Sequence, residues 1–190
     1  MQKVRLFLAI DLDNETLFKL STAMGELQKI FPEARWCKQN ALHLTLKFFG
    51  TIPLLSVVEI GNAVNSVVKK MSPIRFETQG IGGFPSLENP RVLWAGVTNG
   101  KEKINFLARR LSEELERYNF IPERKKFVPH ITLARFKRGG KLSEDKIEIP
   151  NKIVNQSFGI TETDEIILYS SDLTPEGPIY SVVDRWEFVR

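Results

Sequence analysis

Cysteine and histidine are the scarcest chemically active residues in this 190-residue chain, which contains one cysteine and two histidines. Because Cys37 has no second cysteine to pair with, an internal disulfide framework is excluded. A thiolate zinc site and an iron–sulfur cluster are excluded on the same ground, since each needs several cysteines. The low cysteine count favours a reducing compartment, and we expect a cytoplasmic protein.

Long apolar runs are also missing from the chain. No window approaches the roughly 18 uncharged apolar residues that a membrane-spanning helix needs, so no membrane span is predicted. The short apolar run at the start is interrupted by Asp11 and Asp13, and no small-residue cleavage site follows it. This segment therefore fails as a secretory signal and predicts a first strand.

The positive charge of the chain is unevenly distributed. The net charge is +4, from 27 Lys and Arg against 23 Asp and Glu. Between Pro122 and Lys141, seven basic residues stand against Glu123 alone, which gives a local net charge of +6. Such a segment on a slightly acidic chain is typical of a docking site for phosphate or an RNA backbone. A solvated basic loop is the alternative interpretation.

Apolar periodicity predicts an alternation of helices and strands. The predicted helices cover about residues 14–31, 54–70 and 99–118, and the predicted strands cover about residues 4–12, 42–50, 74–81, 91–97, 127–136, 165–170 and 180–189. We therefore expect an α+β fold with two pseudo-twofold-related α/β lobes, whose sheets flank a central cleft with the helices outside. No linker separates the halves, so residues 1–190 are predicted to form a single bilobal domain with two interleaved lobes.

Both histidines lie in the same tetrapeptide, His-x-Thr-Leu. The heptapeptides that begin at His43 and His130 agree at four of seven positions and lie 87 residues apart. Because side chains alternate along a strand, each histidine shares a face with the threonine two residues later, Thr45 or Thr132. If the halves are related by a pseudo-twofold axis, both histidine–threonine pairs face one cleft.

This constellation suits phosphodiester chemistry. Two imidazoles allow one group to give a proton while the other accepts one, and two threonine hydroxyls can donate hydrogen bonds to phosphate oxygens. A lone histidine is more often a hydrogen-bonded structural residue, but the repetition favours a catalytic pair. No metal or cofactor is expected, because two histidines without acidic or cysteine ligands at suitable spacing are too few for zinc. No Gly-x-Ser-x-Gly nucleophile motif is present, and Cys37 lacks a base in its segment.

Five further segments accompany the two motifs. They are Arg5–Asp11, Phe84-Pro85, Pro90–Val97, Phe127–Arg135 and Leu168–Tyr180. With these segments and the motifs, nearly the whole chain resembles the two-histidine phosphoesterase superfamily. It is most similar to the RNA 2′,3′-cyclic phosphodiesterases of the LigT type, which are also called 2′–5′ RNA ligases.

The resemblance implies that a terminal RNA 2′,3′-cyclic phosphate is hydrolysed to a 2′-phosphomonoester without metal. It also implies that His43 donates a proton to the departing O3′, that His130 is the base for water, and that Thr45, Thr132 and Arg135 hold the phosphate. The expected partner is an RNA with a cyclic phosphate end, such as a tRNA fragment, and we expect a monomer with no membrane partner.

Three alternatives to hydrolysis of a cyclic phosphate stay open. Reversal of the reaction, which joins RNA ends through a 2′–5′ linkage, is chemically available. A second alternative is a non-catalytic module that binds RNA ends or phosphate. A third is another two-histidine phosphodiesterase that acts on a different 2′-linked or oligonucleotide substrate.

Strand alternation makes two predictions about the cations near the motifs. It puts Arg135 on the face opposite His130, so this side chain reaches the phosphate only if the strand bends, bulges or ends near Ala134. It puts Lys47 on the face of His43 and Thr45, at a position that can be too far along the strand to reach the phosphate.

Phe48 and Phe84 are the candidate rings on which a terminal base can stack. Alternation favours a core position for Phe48, together with Leu44. Phe84 follows two glycines and precedes a proline, so it is predicted to lie in a loop and is the better candidate. Trp94 lies in a predicted strand and is expected in the core.

Overall fold

The computed structural model describes residues 2–123, 125–136, 149–175 and 177–189. Within these ranges the chain forms four α-helices and nine β-strands. The helices are α1 (Asn14–Ile30), α2 (Ser56–Val68), α3 (Lys101–Glu116) and α4 (Asn151–Val154). The strands are β1 (Lys3–Ile10), β2 (Arg35–Trp36), β3 (Leu44–Pro53), β4 (Ile74–Phe84), β5 (Val92–Val97), β6 (His130–Arg135), β7 (Ser157–Thr163), β8 (Glu165–Thr174) and β9 (Gly177–Glu187).

The strands form one curled antiparallel sheet in the order β7-β4-β5-β6-β3-β1-β8-β9, with β2 paired to β6. The two histidine motifs lie at the centre of this order, on β3 and β6. In the described part of the sheet, Leu44 and Ile131 are the one residue pair that joins β3 to β6. The α+β fold is thus confirmed, with a four-stranded group on each side of this seam. The assignment of residues 1–190 to a single domain stays a prediction.

The hydrophobic core lies between the helices and one face of the sheet. Amphipathic spacing on α1 and α3 buries one side of each helix, as predicted, including Leu20, Leu27 and Leu107. These residues pack in one cluster with the central strand residues Leu8 and Leu44. The opposite face of β1, β3, β5 and β6 carries the histidines, and we call it the histidine face.

Two parts of the sheet differ from the sequence prediction. Ser157–Thr163 forms β7, an edge strand that pairs with β4. This segment does not show a clear alternation of apolar and polar residues, because the buried Phe158 is followed by Gly159, which has a positive φ. Phe84 was predicted in a loop but is the last residue of β4, where it pairs with Val92. The hairpin turn therefore begins after Phe84, and the two glycines before it lie in the strand.

In the part of the chain that the structure describes, no helix is both long enough and apolar enough to cross a membrane.

Candidate active site

The histidines and threonines of the two motifs lie in two adjacent rows that cross the central strands. Leu44 pairs with Ile10 on one side and Ile131 on the other. One residue further along this antiparallel register, His43 stands opposite Thr132. Each motif therefore places its histidine across the seam from the threonine of the other motif.

The second row has the same composition as the first, with the two motifs exchanged. Thr45 pairs with Ala9, and His130 pairs with Gly96. The register around Leu44 puts Thr45 opposite His130. A pseudo-twofold axis between the two rows thus exchanges the two histidines and the two threonines, as the repeated motif predicts.

The leucine that ends each motif is the extra residue of a β-bulge. On β3, Thr45 and Lys47 pair with consecutive residues of β1, which leaves Leu46 without an opposite residue. On β6, Thr132 and Ala134 pair with consecutive residues of β5, which leaves Leu133 in the same position. A bulge shifts the alternation by one, so the faces of the residues that follow are exchanged.

The first bulge contradicts the predicted faces of Lys47 and Phe48. Lys47 is buried on the core side, 8% exposed, and its Nζ donates a hydrogen bond to the backbone oxygen of Ile121 at 3.0 Å. Phe48 is 43% exposed and pairs with Phe7, a residue of the histidine face. The Arg5 guanidinium carbon lies 4.6 Å from the centre of the Phe48 ring. The core position predicted for Phe48 is therefore wrong.

The second bulge is the irregularity near Ala134 that Arg135 needs in order to reach the face of His130. After Leu133, Ala134 is fully buried and Arg135 is exposed. Arg135 pairs with Val92, which lies on the same face of β5 as Trp94, beside Thr132. Its positive charge lowers the pKa of both histidines. Arg135 is thus on the histidine face, five residues after His130, at the position that corresponds to Phe48 in the first motif.

The His43 ring is held by hydrogen bonds at both nitrogens. Nδ1 lies 2.9 Å from the backbone oxygen of Ala41 and therefore donates to it. Nε2 is then the acceptor, and the Thr45 hydroxyl donates to it at 3.0 Å. The ring stacks on Phe7 at 4.7 Å between centroids and meets the edge of Tyr180 at 5.4 Å.

The His130 ring has a matching backbone contact. Its Nδ1 donates to the backbone oxygen of Val128 at 2.7 Å, again two residues before the histidine. This bond selects the tautomer whose lone pair is on Nε2. The ring meets the edge of Phe84 at 5.1 Å and lies 6.2 Å from the Trp94 ring. In both histidines Nδ1 is therefore bonded to the backbone, and Nε2 is the nitrogen that carries the lone pair.

Burial keeps both imidazoles neutral in the free protein. It lowers the pKa of His43 from 6.5 to about 4, against opposing effects from the Ala41 bond and the Asp11 carboxylate. It also lowers the pKa of His130, against the opposing Val128 bond. At neutral pH both Nε2 atoms are therefore proton acceptors until an anion binds.

Asp11 and Tyr169 belong to this site, although the sequence prediction did not include them among its residues. The Tyr169 hydroxyl donates to the Asp11 carboxylate, with 2.9 and 2.8 Å to its two oxygens. The Tyr169 ring lies 6.4 Å from His43 between centroids. Both residues fall within the segments that carry the family resemblance, and this is the signal by which the sequence could have identified them.

The aromatic candidates divide between the two histidines. Phe84 lies beside His130 and Trp94, so it lines the site from the end of β4. Trp94 is half-buried on the histidine face and not in the core, because it pairs with Thr132 and lies two residues before Gly96, the partner of His130. Gly82 leaves the space that the Trp94 ring occupies, since a Cβ there collides with the indole.

The basic segment is described only in part. Lys125 and Lys126 are exposed beside the strand that carries His130. Arg124, Lys137, Arg138 and Lys141 lie outside the described residues.

The described residues give little support to a metal site or to a cysteine nucleophile. Among the described residues, no group of three or more His, Cys, Asp or Glu side chains is arranged to hold a metal ion. Burial raises the pKa of the Cys37 thiol, which disfavours the thiolate that a cysteine nucleophile needs. The histidine face offers instead two imidazole nitrogens, two hydroxyls and one guanidinium, a set of groups that suits a phosphate.

Sequence comparison identifies relatives that cover nearly the whole chain. A family profile described as the 2′-5′ RNA ligase superfamily matches residues 19–152. An RNA 2′,3′-cyclic phosphodiesterase from Methanothermobacter thermautotrophicus is 36% identical over 180 residues, covering 94% of this chain and 96% of the relative. A protein of the same name from Thermotoga maritima is 35% identical over 189 residues, covering 97% and 96%.

Solved structures share the fold. TT0787 of Thermus thermophilus superposes with a TM-score of 0.79 at 27% identity, covering 97% of both chains. Apo LigT of E. coli superposes with a TM-score of 0.78 at 21% identity over the full length of both chains, which shows the fold alone. Together with the profile match and the relatives above 30% identity, these findings confirm the resemblance, and the chain belongs to the 2′-5′ RNA ligase superfamily.

Proposed function

We propose that this protein hydrolyses terminal 2′,3′-cyclic phosphates of RNA to 2′-phosphomonoesters, with His43 as proton donor and His130 as base. The observation that carries the proposal is the pair of matching Nδ1 bonds to Ala41 and Val128, which reserve both Nε2 atoms for proton transfer. The relatives named RNA 2′,3′-cyclic phosphodiesterase support the same substrate class.

The proposed reaction is a single in-line displacement at phosphorus. His130 Nε2 takes a proton from a water molecule as the water oxygen forms a bond to phosphorus. The bond between phosphorus and O3′ breaks, and O3′ takes the proton from His43 Nε2. One water is consumed, and the product carries a 2′-phosphate and a 3′-hydroxyl. His130 then loses its proton to solvent, which restores the free protein with both imidazoles neutral, and His43 takes up a proton again when the next substrate binds.

Substrate binding supplies the proton state that the reaction needs. Both imidazoles are neutral in the free protein, but a phosphate anion beside His43 favours its protonated form. Protonated His43 Nε2 no longer accepts a hydrogen bond from Thr45, so the Thr45 hydroxyl can donate to a phosphate oxygen while the Nε2 proton points to O3′. Thr132 and the Arg135 guanidinium complete the phosphate contacts, the latter with charge-assisted hydrogen bonds.

The direct test uses a short RNA that ends in a 2′,3′-cyclic phosphate, incubated with the protein in excess EDTA. We expect a 2′-phosphate end, identified by mass and by its resistance to an enzyme that removes only 3′-phosphates. A 3′-phosphate product indicates a two-histidine enzyme of different regiochemistry. Absence of turnover together with tight binding of the cyclic end indicates a binding module, and activity restored only by a divalent ion overturns the metal-free mechanism.

Ligation is the same displacement with a different nucleophile: His130 takes the proton of a 5′-hydroxyl as its oxygen bonds to phosphorus, and O3′ takes the proton from His43, which leaves a 2′–5′ linkage and a 3′-hydroxyl. It requires the 5′-hydroxyl of a second strand in place of water, and the exposed basic residues Lys125 and Lys126 provide charge for a second backbone. Incubation of two RNA halves, one with a cyclic phosphate and one with a 5′-hydroxyl, tests it by the appearance of a product that resists 3′–5′-specific ribonucleases. A tRNA fragment as substrate, a cytoplasmic location and a monomeric state stay predictions.

A further inference from the structure

The pseudo-twofold symmetry of the site is broken at the position beside each histidine. His130 pairs with Gly96 on β5. The corresponding strand beside His43 is β1, whose last paired residue Ile10 stands opposite Leu44. Continued by one residue, this register puts Asp11 beside His43. One histidine therefore has a carboxylate as its neighbour, and the other has a residue without a side chain.

The Asp11 carboxylate is held in place by Tyr169. The phenol hydroxyl lies within hydrogen-bond distance of both carboxylate oxygens, at 2.9 and 2.8 Å. The Tyr169 ring stacks on Phe7 at 5.4 Å, and Phe7 stacks on His43 at 4.7 Å. Burial and the bond to Asp11 raise the pKa of Tyr169, so its hydroxyl stays a donor at physiological pH. The carboxylate is thus positioned by the same aromatic stack that supports the imidazole.

The titratable groups around His43 come from four strands. Asp11 at the end of β1 favours the protonated imidazole, whereas Arg135 and His130 on β6 oppose it. Tyr169 on β8 and Tyr180 on β9 face the ring as neutral phenols.

The charges that act on His130 are different. Arg135 favours its neutral form, and no carboxylate of the described residues acts on it. The two imidazoles, equal in sequence context, therefore differ in that Asp11 opposes the effect of burial on His43, whose pKa is lowered to about 4, whereas no carboxylate of the described residues does so at His130.

We propose that Asp11, oriented by the Tyr169 hydroxyl, is a positioning residue that makes His43 the proton donor of the pair and leaves His130 as the base. The inference rests on the proposed function, because it names the group that gives the two histidines different roles. Asp11 acts through its charge, since the His43 nitrogens bond to Ala41 and Thr45. It does not exchange a proton with the substrate.

A double-mutant cycle separates this role from a structural one. We expect Asp11→Asn, which keeps the size and one acceptor for Tyr169, to lower kcat/KM for the cyclic phosphate by about 10- to 100-fold, the effect of removing one charge that shifts a catalytic pKa by one to two units. In the His43→Ala background the same substitution changes kcat/KM by less than about twofold, because Asp11 then has no partner through which to act. Equal losses in both backgrounds overturn the inference, as does full activity of Asp11→Asn alone.

Histidine NMR gives a second readout that does not depend on turnover. The chain has two histidines, so the imidazole spectrum has two sets of signals, which His130→Asn assigns. With inorganic phosphate bound, we expect Asp11→Asn to lower the pKa of His43 by about one unit and to leave that of His130 nearly unchanged. A pKa of His43 that does not move contradicts the inference even if the cyclic phosphate is not a substrate.

Two further variants complete the design. Tyr169→Phe keeps the ring and removes the hydroxyl, and we expect a smaller loss of kcat/KM together with a pKa shift of His43 in the same direction. Asp184→Asn removes an equally negative group from β9, opposite the core residue Leu168, and is expected to change neither readout. If His43→Ala itself is fully active, the proposed function fails. If His43→Ala is impaired but Asp11→Asn acts independently of it, this inference alone fails.

Discussion

Leu46 and Leu133, the last residues of the two His-x-Thr-Leu motifs, are the extra residues of two matching β-bulges. Each bulge turns the residue five positions after the histidine onto the histidine face. That residue is Phe48 in the first motif and Arg135 in the second. The same type of bulge thus places an aromatic ring on one side of the site and a cation on the other. This pair suits a nucleotide, which has a base and a phosphate.

Removal of either catalytic imidazole is expected to abolish most of the activity. We expect His43→Ala and His130→Ala each to lower kcat for cyclic phosphate hydrolysis by about 10² to 10⁴-fold, the range for general acid–base groups. The double variant loses little more, because the two groups act in one concerted step. Single-turnover kinetics with the cyclic-phosphate RNA measures this, and full activity of either single variant contradicts the mechanism.

The bulges make opposite predictions for two cations near the motifs. Arg135→Met is expected to lower kcat/KM by about 10- to 150-fold, since a hydrogen bond to a charged group contributes about 1.5–3 kcal/mol. Lys47→Met serves as the matched control and changes kcat/KM by less than about threefold, because Lys47 bonds to Ile121 on the core side. A reversed order of the two effects shows that the faces follow strict alternation.

Phe48 is expected to bind the terminal base. Stacking on an aromatic ring is worth about 1–3 kcal/mol per base, so Phe48→Ala raises KM by roughly 5- to 150-fold while Phe48→Trp preserves it. Phe106 offers a close control, being 46% exposed with the Arg109 guanidinium 5.3 Å from its ring centre on α3. Steady-state kinetics with RNA and with a minimal cyclic nucleotide separates base contacts from chemistry, and an equal effect of Phe106→Ala argues against stacking.

Acid is expected to destabilise the fold partly through His43. The unfolded chain binds a proton at this residue below a pKa of 6.5, whereas the folded protein binds it below a pKa of about 4. The free energy of unfolding therefore falls as the pH is lowered from 6.5 to 4, by about 3 kcal/mol for this group alone. His43→Gln removes this contribution, so urea unfolding at pH 7 and pH 4.5 shows a pH dependence that is smaller by about 2–3 kcal/mol. An unchanged dependence indicates that His43 titrates normally.

Much of the architecture could be predicted from local patterns. Leucine and isoleucine at steps of three and four located α1 and α3, and the repeated motif located the two central strands. The shared faces of His43 with Thr45 and of His130 with Thr132 needed only strand alternation over three residues. These features depend on neighbours in sequence, which is why periodicity was sufficient for them.

The faces of Lys47 and Phe48 could not be predicted in the same way. A bulge depends on how two strands pair across the sheet, and the pairing partners of β3 and β6 are distant in sequence. Strict alternation past Leu46 therefore put Lys47 and Phe48 on the wrong faces. The role of Asp11 is a second case, because its proximity to His43 comes from the register of β1 against β3.

Gly96, the residue beside His130, determines more than local packing. A Cβ at this position would lie 2.9 Å from the backbone oxygen of Gln79 and 3.1 Å from the Trp94 ring, so the fold has no room for a side chain there. A carboxylate can accompany His43 but cannot be installed in the same way beside His130. In the proposed mechanism, crowding on β5 therefore restricts the carboxylate to the side of His43, and an exchange of roles between the histidines would require a rebuilt strand, not one substitution.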